Sequence, residues 1–88
     1  MNESGDWVPG EWLGDETSVA EIEAEFTSDY PNEQWLREWR SMIQKMRSGD
    51  ELRHFSSPSK SWLYLAGRAG YAVVRDGAVV DAIVTMLN

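Results

Sequence analysis

His54 is the chain's one histidine, so imidazole chemistry as base or metal ligand would have to run through it. A base or a metal site needs convergent partners. The nearby Glu51 and Arg53 do not converge, because on an extended segment they point to the opposite face from His54. Four serines crowd positions 56, 57, 59 and 61. None sits in a G-x-S-x-G elbow, and His54 is the single candidate base, so capping and turn chemistry accounts for them better than nucleophilic catalysis. Gly67-Arg68-Ala69-Gly70 combines glycines with a cation, the raw material of a phosphate cradle. It lacks the Lys-Ser/Thr pair of a P-loop and follows a helical stretch, whereas a P-loop precedes one. It reads as a helix stop leading into a strand, with Arg68 as an exposed anchor. The carboxylates form no D-x-D-x-D-G loop of the calcium-binding kind. Paired carboxylates for glycoside chemistry would need a cleft that a chain this short has no room to build. The expectation is no enzyme, no cofactor and no metal.

What remains is electrostatic. The first 33 residues hold ten carboxylates and no Lys or Arg, while residues 34–88 hold eight cations against five carboxylates; the net charge is −7. The acidic front opposes direct nucleic-acid binding and anionic membranes by repulsion and favours a basic protein partner. There is no cysteine, which excludes disulfides, thiolate metal sites and thiol nucleophiles. No run approaches the roughly 20 apolar residues of a membrane span, and the acidic start is unlike a secretory signal, so the expected setting is cytoplasmic.

The elements that position these groups follow from spacing. Residues 1–16 hold Gly5, Pro9, Gly10 and Gly14 without a period, which predicts an extended arm; 17–88 then form a single domain. Trp7, Val8, Trp12 and Leu13 are too apolar for a bare solvated tail, so the arm folds back onto the domain or offers its tryptophans to a partner. Ser18 with Glu21 is a capping box, and Val19, Ile22 and Phe26 give the first helix one stripe, ended at Asp29-Tyr30-Pro31. Asn32 caps a second helix whose Trp35, Leu36, Trp39, Met42, Ile43 and Met46 make a wide apolar face, stopped by Gly49. Residues 51–56 read as a strand. Ser57-Pro58 reads as the cap and first position of a short helix ending near Ala66, with Gly67 as its left-handed stop.

Asp76-Gly77 between β-rich runs marks a hairpin over 70–86. A two-residue turn pairs Arg75 with Ala78, Val73 with Val80 and Tyr71 with Ala82. Alternation then puts Tyr71, Val73, Val80, Ala82, Val84 and Met86 on the core face. The other face, with Val74, Val79 and Ile83, is too apolar to stay bare, so either the arm or another chain covers it. The fold class is α+β: N-terminal helices packed on a small, roughly three-stranded sheet ending in the C-terminal hairpin. Residues 51–56 join that sheet either antiparallel or through a parallel crossover.

The string Phe55-Ser56-Ser57-Pro58, Ser61-Trp62, Leu65-Ala66-Gly67-Arg68-Ala69-Gly70, Val74-Arg75-Asp76-Gly77, Ile83, Thr85 and Asn88 resembles the closing string of a group of short, uncharacterised bacterial proteins. The resemblance spans residues 51–88. It implies a shared fold and carries no activity and no site residues.

The functional expectation is a small acidic, non-enzymatic protein-binding module. Its sub-cases are a DNA-mimicking inhibitor and an immunity-type protein that blocks a basic, nucleic-acid-handling partner. Trp7 and Trp12 would supply anchor area, Asp15, Glu16, Glu21 and Glu25 the charge, and Arg68 a further contact. The alternative is a structural or homo-oligomeric small protein without a ligand, self-complementary through the helix stripe or the half-apolar sheet face.

Overall fold

A computed structural model describes residues 7–29 and 31–87. Residues 1–6 of the arm, including Glu3 and Asp6, lie outside the described residues, as do Tyr30 and Asn88. The chain runs through a 3-10 turn at Gly10–Trp12, strand β1 (Leu13–Thr17), helix α1 (Val19–Glu23), helix α2 (Glu33–Gln44), strand β2 (Glu51–Ser56), helix α3 (Ser59–Leu63), strand β3 (Arg68–Arg75) and strand β4 (Ala78–Leu87). The α+β class holds. The sheet has four strands in the order β1-β2-β3-β4, every neighbour antiparallel, where the sequence suggested about three. The additional strand comes out of the segment expected to be an extended arm. Its sequence, LGDET, carries a single large apolar residue and no strand signature; it becomes a strand because the outer edge of β2 offers it a ladder. The antiparallel option for residues 51–56 is the one adopted, and α3 serves as the connection between β2 and β3.

Both helices form for the reasons their sequences give. Ser18 Oγ accepts the Glu21 backbone N–H at 3.1 Å, and Asn32 Oδ1 accepts that of Trp35 at 2.8 Å. The first helix is shorter than its stripe suggested, closing at Ala24. It is held to α2 from the side: Trp39 Nε1 donates to Glu23 Oε2 at 2.9 Å. Trp35 and Trp39 stack at 5.7 Å, and Phe26 and Tyr71 meet both rings edge-on. With Ile22, Met42, Leu52, Val73 and Ile83 they make the principal core, on one face of the sheet.

The opposite face is covered by the chain's own start. Val8 is buried against Phe55, Ala72 and Ala82, with Trp7, Trp12 and Leu13 packed around it. Trp7 meets Phe55 edge-to-face at 5.6 Å. Of the two covers the sequence left open for this face, the structure places the arm there.

The hairpin turn is as expected, with φ of 52° at Asp76 and 81° at Gly77 and Arg75 opposite Ala78. Beyond it the register departs from expectation. Val74 faces Val79, but Val73 faces Asp81, leaving Val80 as a one-residue bulge. Residues 81–84 of β4 therefore change face. Ile83 joins Tyr71 and Val73 in the principal core; Ala82 and Val84 go to the other face; Met86 is exposed. A further shift follows, since Gly70 faces Val84 and Ala69 faces Met86. Gly70 is required there: a Cβ would sit 2.0 Å from the Ile83 carbonyl oxygen.

Candidate functional site

The serines near His54 belong to the scaffold. Ser57 is buried, and its Oγ accepts the Arg68 backbone N–H at 2.9 Å. The Ser61 hydroxyl lies 2.7 Å from both Ser57 Oγ and the Pro58 carbonyl oxygen. The Ser57 carbonyl accepts Trp62 Nε1 at 3.2 Å, and its N–H donates to the Arg68 carbonyl at 2.8 Å. One serine thus ties the end of β2, helix α3 and the start of β3 together. It is not the helix cap the sequence suggested; that position falls to Pro58, with no side-chain bond. His54 is exposed and stands opposite Tyr71, with ring centroids 5.2 Å apart. Leu52, two residues before it, is in the principal core, whereas Phe55 is in the second one, so Glu51 and Arg53 lie on the face away from His54. Among the described residues no group of three or more His, Cys, Asp or Glu could hold a metal ion, and no helix is long and apolar enough to cross a membrane.

The glycine-rich segment is also structural. Helix α3 ends in a left-handed residue, but it is Leu65 (φ 59°), not Gly67. The Ala66 N–H returns to the Ser61 carbonyl and the Leu65 N–H to that of Trp62, the pattern of a Schellman stop with a leucine where glycine is favoured. That substitution costs about 1–2 kcal/mol. Gly67 serves a different end: its Cα lies flat under the Trp62 indole, and a Cβ would come within 2.0 Å of the ring. Arg68 is exposed, with its guanidinium carbon 5.9 Å from the centre of the Trp7 ring. Arg68 and Trp7 are therefore brought together. Trp7 and Trp12 are half-buried and give much of their area to the second core, which leaves less of it for a partner.

The carboxylates divide by use. Glu23 is engaged by Trp39, and Glu21 accepts from the Thr17 and Ser18 hydroxyls at 3.3 and 3.4 Å. Asp15 and Glu16 lie exposed along β1, and Glu11 and Glu25 are exposed at either end of the β1–α1 segment. None of these six carboxylates pairs with a Lys or Arg among the described residues. The ion pairs found there use acids from the second half of the chain, Glu51 with Arg53 and Asp50 with Arg75. Glu16 stands opposite Arg53 across the ladder, yet that guanidinium turns to Glu51 and to the Gly14 carbonyl. The Asp50 side chain is 2% exposed and accepts two bonds from Arg75 and one from the Arg47 backbone N–H. The Arg75 bonds, helped by the Arg47 N–H, hold its carboxyl at about 2, and the same contact raises the Arg75 pKa.

Both sheet edges carry features that discourage an added strand. On β4, the two register shifts twist the ladder, and the Ala82 N–H is taken by the Asp81 carboxylate at 2.9 Å. On β1, five residues with a register shift carry Asp15 and Glu16. An open groove of about 980 Å³ separates α2 from β4; its apolar floor includes Trp35, Met42 and Ile83, and Arg37, Lys45, Glu38 and Asp81 give it no net sign. The two surfaces that offered self-association from sequence, the α2 stripe and the second sheet face, are both occupied inside the molecule.

No family model matches the chain. No solved structure matches it either.

Proposed function

We propose that the chain is a small acidic protein-binding module that meets a basic protein surface along β1 and α1, with inhibition of a nucleic-acid-handling protein as the sub-case its charge fits best. The supporting observation is the set of exposed carboxylates at positions 11, 15, 16 and 25, which the described fold leaves without a cation. Asp15 and Glu16 on β1, Glu11 in the 3-10 turn before it and Glu25 just past the end of α1 follow ordered elements on one stretch of chain, which supports charge complementarity to a basic partner. Binding is assigned chiefly to this charge. Trp7 and Trp12 contribute their uncovered edges, beside Arg68, and no catalytic, metal or cofactor role is assigned to any residue.

The test is affinity capture with full-length protein and with an Asp15→Lys, Glu16→Lys, Glu25→Lys variant, none of these side chains being used in a cap or a core contact. Basic partners retained by the wild type should be lost by the variant, and their affinity should fall as salt rises. Capture that the variant reproduces, or that is indifferent to salt, refutes the reading. Deleting residues 1–16 would be the wrong variant, because it removes β1 and uncovers the second core.

A further inference from the structure

We propose that the notch between the end of α2 and the β3–β4 hairpin is a binding site for a small organic acid, one carboxylate on a short apolar body. Its volume is about 270 Å³. The floor is apolar: Met42 and Val73 are buried, and Met46 and Val80 are half-buried. Lys45, Arg47 and Arg75 line the same space, and Asp81 is the one carboxylate among its lining residues. In a chain of net charge −7, cations outnumber acids here beside an apolar floor.

The needs of the fold account for part of this arrangement. Lys45 and Arg47 suit the C-terminal end of the α2 dipole, yet neither makes a salt bridge among the described residues. Arg75 comes from β3. Its Nε and Nη2 donate to the Asp50 carboxylate at 2.9 and 2.8 Å, and its side chain is 29% exposed. No described hydrogen bond uses its Nη1. A guanidinium gripped on one edge by a buried carboxylate is already ordered, so a ligand meets its remaining donors without having to fix them. Asp50 also accepts the Arg47 N–H at 2.9 Å, so one acid ties the loop after α2 to β3. The β4 wall is shaped by the bulge: Val80 is its extra residue, and Asp81, which follows, also lines the notch. Bulges recur where a strand re-aims a side chain beside a site.

Size and charge select the ligand. The volume lies below the roughly 300–1,000 Å³ of drug-sized pockets, so the apolar body is short. Met42 and Met46 are flexible thioethers that adapt to its shape. Asp50 offsets one of the three cations and Asp81 another, which leaves one for the ligand; Asp76, in the turn beyond, does not line the notch. That surplus matches a single carboxylate rather than a phosphate dianion, and a carboxylate suits the donors of a guanidinium. The site uses none of the acids of β1 and α1, so this inference stands or falls separately from the proposed function.

Titration of the full chain with sodium hexanoate at low, constant ionic strength, followed by backbone amide NMR shifts, tests it. The shifts should saturate in the millimolar range or below and centre on residues 45–47, 73–75 and 80–81. Acetate, which lacks the tail, and hexanamide, which lacks the charge, should each bind about tenfold more weakly. Lys45→Gln with Arg47→Gln should weaken hexanoate binding by about threefold or more. The same double variant should keep the wild-type thermal midpoint, since both side chains are exposed and the Arg47 N–H remains. Shifts that never saturate, or that are as large at Lys60 and Arg68 as in the notch, overturn the proposal. So do hexanamide binding as tightly as hexanoate, hexyl phosphate binding more tightly than either, and a double variant that binds like the wild type.

Discussion

Gly70 and Asp50 show how single side chains, or the lack of one, carry the scaffold. At Gly70 the obstacle to any Cβ is the Ile83 carbonyl, which is backbone of a ladder partner and cannot rotate away. Gly70→Ala should therefore force the strands apart at the second register shift and cost roughly 3 kcal/mol in urea unfolding. Asp50 is a carboxylate whose native pKa, about 2, lies below its ordinary 3.8. A depressed native pKa adds stability that is complete above the ordinary value and is lost as pH falls through about 4 toward 2. Asp50→Asn should be the less stable protein at neutral pH, and most of its deficit against wild type should disappear across that interval. Thermal melts of both proteins over that range check this; a deficit independent of pH would mean that packing, not the charge, holds the turn to β3.

At the scale of elements, the segment before β1 acts as a lid on the second face of the sheet. Val8 alone, buried against Phe55, Ala72 and Ala82, is worth roughly 2 kcal/mol of apolar burial. Deleting residues 1–12 should lower the unfolding free energy by at least that amount and expose a surface that binds a hydrophobic dye at neutral pH. A truncated protein as stable and as dye-silent as the full chain would show that this face tolerates water. The sequence announced the need for such a cover, because Val74, Val79 and Ile83 were too apolar for solvent, but not which residues face it. Helix α2 was legible because its apolar residues recur at 3.6-residue spacing with Asn32 ahead of them, and the β3–β4 turn because Asp-Gly fits the two positive φ values. The bulge at Val80 was not. Residues 78–84 are apolar on both faces, so either register buries a hydrophobic set and alternation cannot choose between them. β1 was illegible for the reverse reason: its residues carry almost no strand signal, and only the unfilled edge of β2 makes them a strand. The same limit applies to the site. The acids could be counted, but that Glu23 serves Trp39 depends on a helix pairing that no local pattern encodes.

For the whole molecule, the decisive question is whether the exposed acids serve the fold or something outside it. The net charge is −7, and the described ion pairs consume acids of the second half of the chain, so the front carries uncompensated repulsion. If Asp15, Glu16 and Glu25 had a structural role, neutralising them would destabilise the protein. Their exposure and lack of partners predict the opposite sign. Asp15→Asn, Glu16→Gln and Glu25→Gln should each change stability by no more than about 0.5 kcal/mol, as surface substitutions do, with the triple variant equal to or slightly more stable than wild type. Moderate salt should raise the wild-type midpoint and leave the triple variant less affected, because screening relieves a repulsion the variant no longer has. The same triple variant should slow association with a basic partner more than it speeds dissociation, since rim charges act mainly on encounter. Stability that is kept while association slows would separate the two roles; a triple variant that unfolds more easily would return these carboxylates to the scaffold and remove the surface on which binding is proposed.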